Sequence, residues 1–182
     1  RAAGSRAGRV RIGFLGGDSP MNRDGLLWLL AEVWPEVAGA ELHVAGGISA
    51  AVAAPPAGVV LHGEVADQIA FLDGMDIAVN PVFYGGGLKI KTVEYLAQGL
   101  PAVLTAEALF GIAGGAGEAY LLAEDRDAFI RHLNALVADP ALRGRLGAAA
   151  QAFARRHFGP RALAHAMRAI AGLARAMPRN MA

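Results

Sequence analysis

Residues Met75–Thr105 read "MDIAVNPVFYGGGLKIKTVEYLAQGLPAVLT". The two ends, "MDIAVNP" and "PAVLT", are short and nearly continuous in apolar residues, the pattern of strands buried on both faces. The middle has a helical period. Ile90, Val93 and Ala97 fall on one stripe, which is expected to face the core. Gly99 suits the left-handed position past the helix end, and Pro101 beyond it ends the helix. Strand, glycine loop, helix, strand is the unit of a parallel sheet, because parallel neighbours need a crossover connection.

The same alternation extends in both directions. Upstream lie "VRIGFLGG" from Val10, "ELHVAGG" from Glu41 and "GVVLHG" from Gly58; downstream lies "AYLL" from Ala119. Helical patterns fill the intervals. Asn22–Val37 carries Leu26, Leu29, Leu30 and Val33 on one stripe, and Asp67–Asp73 is expected to turn Ile69 and Leu72 inward. Three further helices are expected over Arg126–Ala138, Ala141–His157 and Pro160 to about Met177, with Gly159-Pro160 between the last two. The fold class is therefore α/β: a Rossmann-like parallel sheet of about six strands with helices on both faces. The expected organisation is a basic leader or linker over residues 1–9, the sheet domain over 10–158, and a C-terminal helix and tail over 159–182.

Composition narrows the function classes. With 182 residues, 54% hydrophobic and 18% charged, the chain can build one core and is not a disordered polypeptide. A formal net charge of +1 argues against a nucleic-acid partner held by bulk charge. The absence of cysteine removes disulfides and thiolate metal sites and is compatible with a cytoplasmic setting. No apolar stretch reaches the ~18–20 residues of a membrane span. The chain begins with Arg1 and is read as a fragment or processed piece.

In open parallel sheets, ligands bind where strands run into helices at the carboxyl edge. Four loops meet that description: Gly16–Asn22, Gly46-Gly47, His62–Val65 and Pro81–Lys91. Gly85, Gly86 and Gly87 are costly to order, at roughly 0.5–1 kcal/mol each relative to alanine, which suggests close backbone approach or positive φ. They lead into a helix start bearing Lys89 and Lys91, which are expected in its first turn. Free amides plus ammonium groups form a cradle for a diphosphate. The competing reading is a flexible turn with solvated lysines, since exposed cations there cost only about 0.3–1 kcal/mol. Glu94, one turn on, could accept from a ribose diol or form an ordinary Lys–Glu pair. Gly16 and Gly17 form a second anion-receptive turn, without the dinucleotide fingerprint spacing. Asn22 is read as a helix cap, with a sugar contact as the sharper alternative. His43 and His62 are read as core or edge histidines, and no histidine pair has metal-ligand spacing. Arg143, Arg145, Arg155 and Arg156 are read as solvated.

Taken in order, "RIGFLGGDSPMN", "ELHVAGG", "GVVLHGEVAD", Met75–Val103 and "LLAEDRDAFIRHLNALVADPALRGRLGAAAQAF" resemble the C-terminal, donor-binding domain of two-Rossmann-domain (GT-B) glycosyltransferases of family 4, the glycosyl transferases group 1. The resemblance implies a nucleoside-diphosphate sugar as donor, retention of anomeric configuration, no cofactor and no obligatory metal. It also implies an N-terminal acceptor domain as partner, no nucleic acid, and a cytoplasmic enzyme with peripheral membrane contact in many relatives. It places Glu94 as the second glutamate of the family's E-x7-E motif, on the ribose. Gly86 stands where the first, sugar-holding glutamate belongs, so the chain departs from the motif there. Gly87 and Leu88 match the loop whose amides meet the diphosphate, with Lys89 and Lys91 adding charge. Gly16 and Gly17 match the loop beside phosphates and sugar. Gly63, Glu64 and Val65 match the segment framing the base.

Overall fold

The structure is a computed structural model and describes residues 8–162. Six strands form one sheet: β1 (Val10–Leu15), β2 (Ala40–Ala45), β3 (Val59–Gly63), β4 (Ile77–Asn80), β5 (Ala102–Leu104) and β6 (Leu121–Leu122). Their order is β3-β2-β1-β4-β5-β6, and every neighbouring pair is parallel. The expected α/β Rossmann-like sheet is therefore the fold observed. The chain starts in the middle, winds outward to β3, then returns to β4 on the other side of β1. That reversal opens a crevice at the carboxyl ends of β1 and β4.

Side chains alternate across the sheet and feed two cores. Ile12, Phe14, Leu42, Val44, Val79 and Val103 face α1 (Pro20–Trp28) and α4 (Arg126–Ala138), where Leu26, Phe129, Leu133 and Leu136 are buried. Leu15, Ala45, Ala78, Ala102 and Leu104 face α2 (Gln68–Asp73), α3 (Ile90–Ala97) and α5 (Pro140–Phe158). Each fully buried large side chain contributes about 1.5–3 kcal/mol. Among the described residues no helix is long and apolar enough to cross a membrane. The helix expected from Pro160 onward lies almost wholly outside the described residues.

Several local expectations need correction. The Asn22–Val37 segment is not one α-helix: α1 passes into a π-helical stretch at Leu29–Val33 and a 3-10 turn at Trp34–Glu36, where Pro35 cannot donate to the ladder. Its cap is Ser19, whose Oγ accepts from the Asn22 amide at 3.4 Å, so Asn22 is not the cap. Ile69 is 60% exposed, and only Leu72 of the expected pair is buried. In α3 the stripe Ile90, Val93, Ala97 is displaced. The buried residues are Thr92, Tyr95 and Leu96, while Ile90 is 61% exposed. Polar atoms enter the core there because partners await them. Thr92 donates to the Ala108 carbonyl at 2.9 Å and accepts from Asn80 Nδ2 at 3.0 Å. Arg143 is not merely solvated, because it donates to the carbonyls of Leu136 and Val137 at the end of α4, at 2.6 and 3.1 Å.

Tyr95 connects α3 to β1. Its hydroxyl accepts from the Leu15 amide at 3.0 Å and donates to the Leu15 carbonyl at 3.4 Å. Complete burial holds the phenol well above its ordinary titration range. Tyr95→Phe would leave both Leu15 groups without this partner, and is expected to cost about 1–2 kcal/mol of unfolding free energy. Urea denaturation would read this as a lower midpoint at constant slope. An unchanged midpoint would remove the bond from the account.

Candidate functional site

A cavity of about 290 Å³ opens at the carboxyl edge, lined by Leu15, Gly16, Gly17, Gly46, Gly47, Glu64, Gln68, Ile90, Lys91 and Glu94. Four loops build it, those following β1, β2, β3 and β4. Their backbones are laced together: Gly16 donates to Ala45 at 3.0 Å, Ile48 to Gly16 at 3.2 Å, and Gly46 to Gly63 at 2.7 Å. Such close packing excludes a side chain at Gly46, whose Cβ would lie 2.3 Å from the Gly16 carbonyl oxygen. A Cβ on Gly47 would meet the movable carboxylate of Glu64, at 2.9 Å from Oε1.

Lys91 is the strongest electrostatic feature. Its ammonium donates to Asn22 Oδ1 at 2.5 Å and sits 4.9 Å from the centroid of the Phe14 ring. Asn22 Nδ2 in turn donates to the Gly17 carbonyl at 2.9 Å. Among the described residues no carboxylate forms an ion pair with Lys91. Burial first, and then the charge of Lys89, push its titration down to about 8. A mostly buried cation with neutral partners, facing a cavity, lowers its free energy by receiving an anion.

Lys89 behaves differently. It occupies the cap position before α3 rather than the first turn, and it is buried. Its Nζ donates to Glu107 Oε1 at 2.7 Å and to the Gly87 carbonyl at 3.2 Å, and lies 5.7 Å from the Phe110 ring centroid. The cation is already paired.

The structure thus gathers Gly16, Gly17, Glu64, Lys91 and Glu94 around one cavity, with Asn22 touching Lys91 behind it. The remaining expected residues sit elsewhere. Gly63 supports the β2 loop through its carbonyl and has φ +65°. Val65 packs against the core under α2 and α3. Gly85 and Gly87 have φ +121° and +74°, which accounts for two of the three glycines. An alanine Cβ at Gly86 would meet nothing within 4 Å. Leu88 is exposed and lies over Gly111. Leu15, Gly46, Gly47, Gln68 and Ile90 also line the cavity, Gly46-Gly47 in one of the four loops at the carboxyl edge. Ile90 lines it instead of facing the core, and nothing in the sequence marks Gln68. His43 and His62 stack beside each other on β2 and β3, with Nδ1 and Nε2 2.9 Å apart, and neither lines the cavity.

A second cavity of similar volume lies over β4–β6, lined by residues including Trp28, Phe83, Phe129, Glu107 and Asp125. Its carboxylates are engaged internally: Glu107 with Lys89, and Asp125 as the cap of α4, accepting from the Ala128 amide at 2.6 Å. Among the described residues it holds no mostly buried cation lacking an ion-pair partner, as the first cavity does.

The fold defines a Rossmann-like α/β domain, with an anion-receptive crevice where its strand order reverses. The chain belongs to the glycosyl transferases group 1, whose sequence profile matches residues 9–139. No curated protein matches it. Among solved structures it is similar in fold to TarM of S. aureus, at 16% identity and TM-score 0.73 over 87% of this chain and 34% of that one. It is similar to HepE of Anabaena, in a complex with UDP and glucose, at 16% identity and TM-score 0.69 over 94% and 49%. It is also similar to the C-terminal domain of LpcC, a glycosyl transferase group 1 family protein from Francisella tularensis, at 15% identity and TM-score 0.63 over 84% and 88%. The chain therefore spans about a third of TarM and half of HepE, but most of the LpcC domain.

Proposed function

We propose that this chain is the donor-binding half of a retaining glycosyltransferase, moving a sugar from a nucleoside diphosphate to an acceptor held by an N-terminal domain. The observation that carries the reading is Lys91: a mostly buried ammonium with no ion-pair partner among the described residues, at a cavity whose far wall is the backbone of Gly16, Gly17, Gly46 and Gly47. Gly16, Gly17 and Lys91 would receive the diphosphate, Glu94 the ribose diol, and Glu64 with its neighbours would border the base. The reported complex of HepE with UDP supports a diphosphate ligand for this fold. The near-complete overlap with the LpcC C-terminal domain supports the half-enzyme assignment.

In the reaction, the bond from the anomeric carbon to the diphosphate oxygen breaks, and a bond from that carbon to an acceptor oxygen forms. The acceptor hydroxyl gives up its proton, which the departing diphosphate oxygen or solvent takes up. This domain contributes charge stabilisation of the leaving diphosphate by groups fixed beforehand. No metal or cofactor belongs to this proposal.

Calorimetric titration of the chain with UDP and GDP tests the site, and no affinity for either nucleotide would end the proposal. Glu94→Ala is expected to weaken binding about tenfold by removing a charged acceptor from the ribose. Equal loss with a nucleotide lacking both ribose hydroxyls would agree, and an unchanged affinity in the variant would remove the role. A second reading, a non-catalytic nucleotide-binding module of the same fold, is favoured by Gly86 in place of the motif's first glutamate. Sugar transfer by the complete protein decides between the two.

A further inference from the structure

The two lysines of the "GGGLKIK" loop face different partners, and this divides their work. We infer that Lys89 is a positioning residue. Held by Glu107, it anchors the glycine loop and the start of α3, whose Ile90, Lys91 and Glu94 line the cavity, and it does not itself meet the phosphates. The inference rests on the donor-site reading above.

The geometry runs through one peptide plane. Lys89 Nζ is fixed at 2.7 Å from Glu107 Oε1, on the 3-10 segment Glu107–Leu109 that follows β5. From there it donates to the Gly87 carbonyl at 3.2 Å. No peptide bond among the described residues is cis. In a trans peptide the carbonyl oxygen and the next amide hydrogen point in opposite directions. Turning the Gly87 oxygen inward onto Lys89 therefore turns the Leu88 amide away from it. That amide has no hydrogen-bond partner among the described residues, and Leu88 is exposed. Gly87 permits the arrangement because its φ of +74° is unfavourable for other residues.

Glu107 also answers an electrostatic need. An ammonium as buried as Lys89, so close to the amino end of α3, would be disfavoured without a counter-ion. Direct binding of phosphate by Lys89 would have to displace Glu107 from it. Lys91, with Asn22 as its hydrogen-bonding partner among the described residues, needs no such exchange.

The two roles predict opposite signs, so a mutant cycle separates them. UDP affinity is measured by calorimetry across a salt series for Lys89→Met, Glu107→Leu and the double variant, with Lys91→Met as the reference for the site. A positioning role predicts that each single change weakens UDP by about tenfold, the scale of one misplaced hydrogen-bonding contact at the start of α3. The double variant should be no weaker than either single. The salt dependence of Lys89→Met should match that of wild type, because no phosphate-contacting charge has been removed. The double variant also guards against misfolding, since removing both charges leaves neither buried alone. Tighter binding in Glu107→Leu, or a flattened salt dependence in Lys89→Met, would overturn the proposal and make Lys89 a direct ligand. If wild type binds no UDP, or Lys91→Met binds as well as wild type, the donor-site reading itself fails. The loop anchor is then judged by NMR order parameters of the 85–88 amides without ligand. Lower order parameters in both single variants uphold the anchor, and unchanged ones remove it.

Discussion

Replacing Gly46 by alanine is expected to destabilise the domain by about 3–5 kcal/mol, the largest stability loss expected from a single added methyl group at the crevice. Two costs combine. Gly46 has φ 92° and ψ 179°, a region that essentially only glycine occupies, at about 1–3 kcal/mol for other residues. The new Cβ would also stand 2.3 Å from the Gly16 oxygen and 3.0 Å from its carbonyl carbon. These atoms are backbone, and the Gly16 oxygen is already bonded to the Ile48 amide at 3.2 Å, so they cannot turn aside as a side chain would. Relief would separate the loops after β1 and β2 and open the cavity, so UDP affinity should fall together with stability. Gly86→Ala is the internal control, because its Cβ meets nothing and its φ is ordinary. Its effect should stay within about 0.5 kcal/mol. Chemical denaturation of both variants reads the contrast. A Gly46→Ala cost below that of the control would mean that the two loops do not approach as described.

How much of this was legible in the sequence depends on which forces fix each residue. The four inner strands were readable because strands buried on both faces leave apolar signatures, as in "RIGFL" and "DIAV". The glycine at position 99 was readable because only one local conformation, at φ +68°, lets α3 stop there. The buried face of α3 was not readable. It depends on Thr92 and Tyr95, whose hydroxyls enter the core only because Ala108, Asn80 and Leu15 meet them, and those partners are distant in sequence. Asn22 fared similarly: its side chain serves Lys91 and Gly17, while Ser19 caps the helix. Lys89 and Lys91 looked equivalent because nothing local distinguishes them. What divides them is Glu107, eighteen positions beyond Lys89 on the far side of β5. Pattern reading locates elements and loops, whereas the assignment of a charge to a ligand or to a partner is made by the tertiary fold.

Lys91→Met should move stability and binding in opposite directions. In the folded chain Lys91 titrates near 8 rather than at 10.5, chiefly because burial penalises its charged form. Between these values the unfolded chain holds the proton more tightly than the folded one, so unfolding takes up protons and stability rises with pH. Below about 8 the penalty is fully present, and above the unfolded value it has gone. Methionine keeps most of the volume and removes the charge. The variant should therefore be more stable than wild type by about 1–2 kcal/mol at pH 7, after allowing for the bonds lost to Asn22 and Phe14. That gain should shrink as pH rises from 8 towards 10.5. UDP affinity should fall about a hundredfold, the loss of one desolvated charge-assisted contact. Wild-type affinity should weaken as pH rises through 8, and binding near that pH should draw a proton from buffer, because a bound diphosphate restores the charged ammonium. Thermal melts at pH 7 and pH 10, with calorimetry in two buffers of different ionisation enthalpy, test all three claims. A variant that is less stable yet binds UDP as well as wild type would make Lys91 a packing residue and leave the crevice without its anion receptor. Gain in stability with loss of binding is the signature of a group held in an unfavourable state for its ligand.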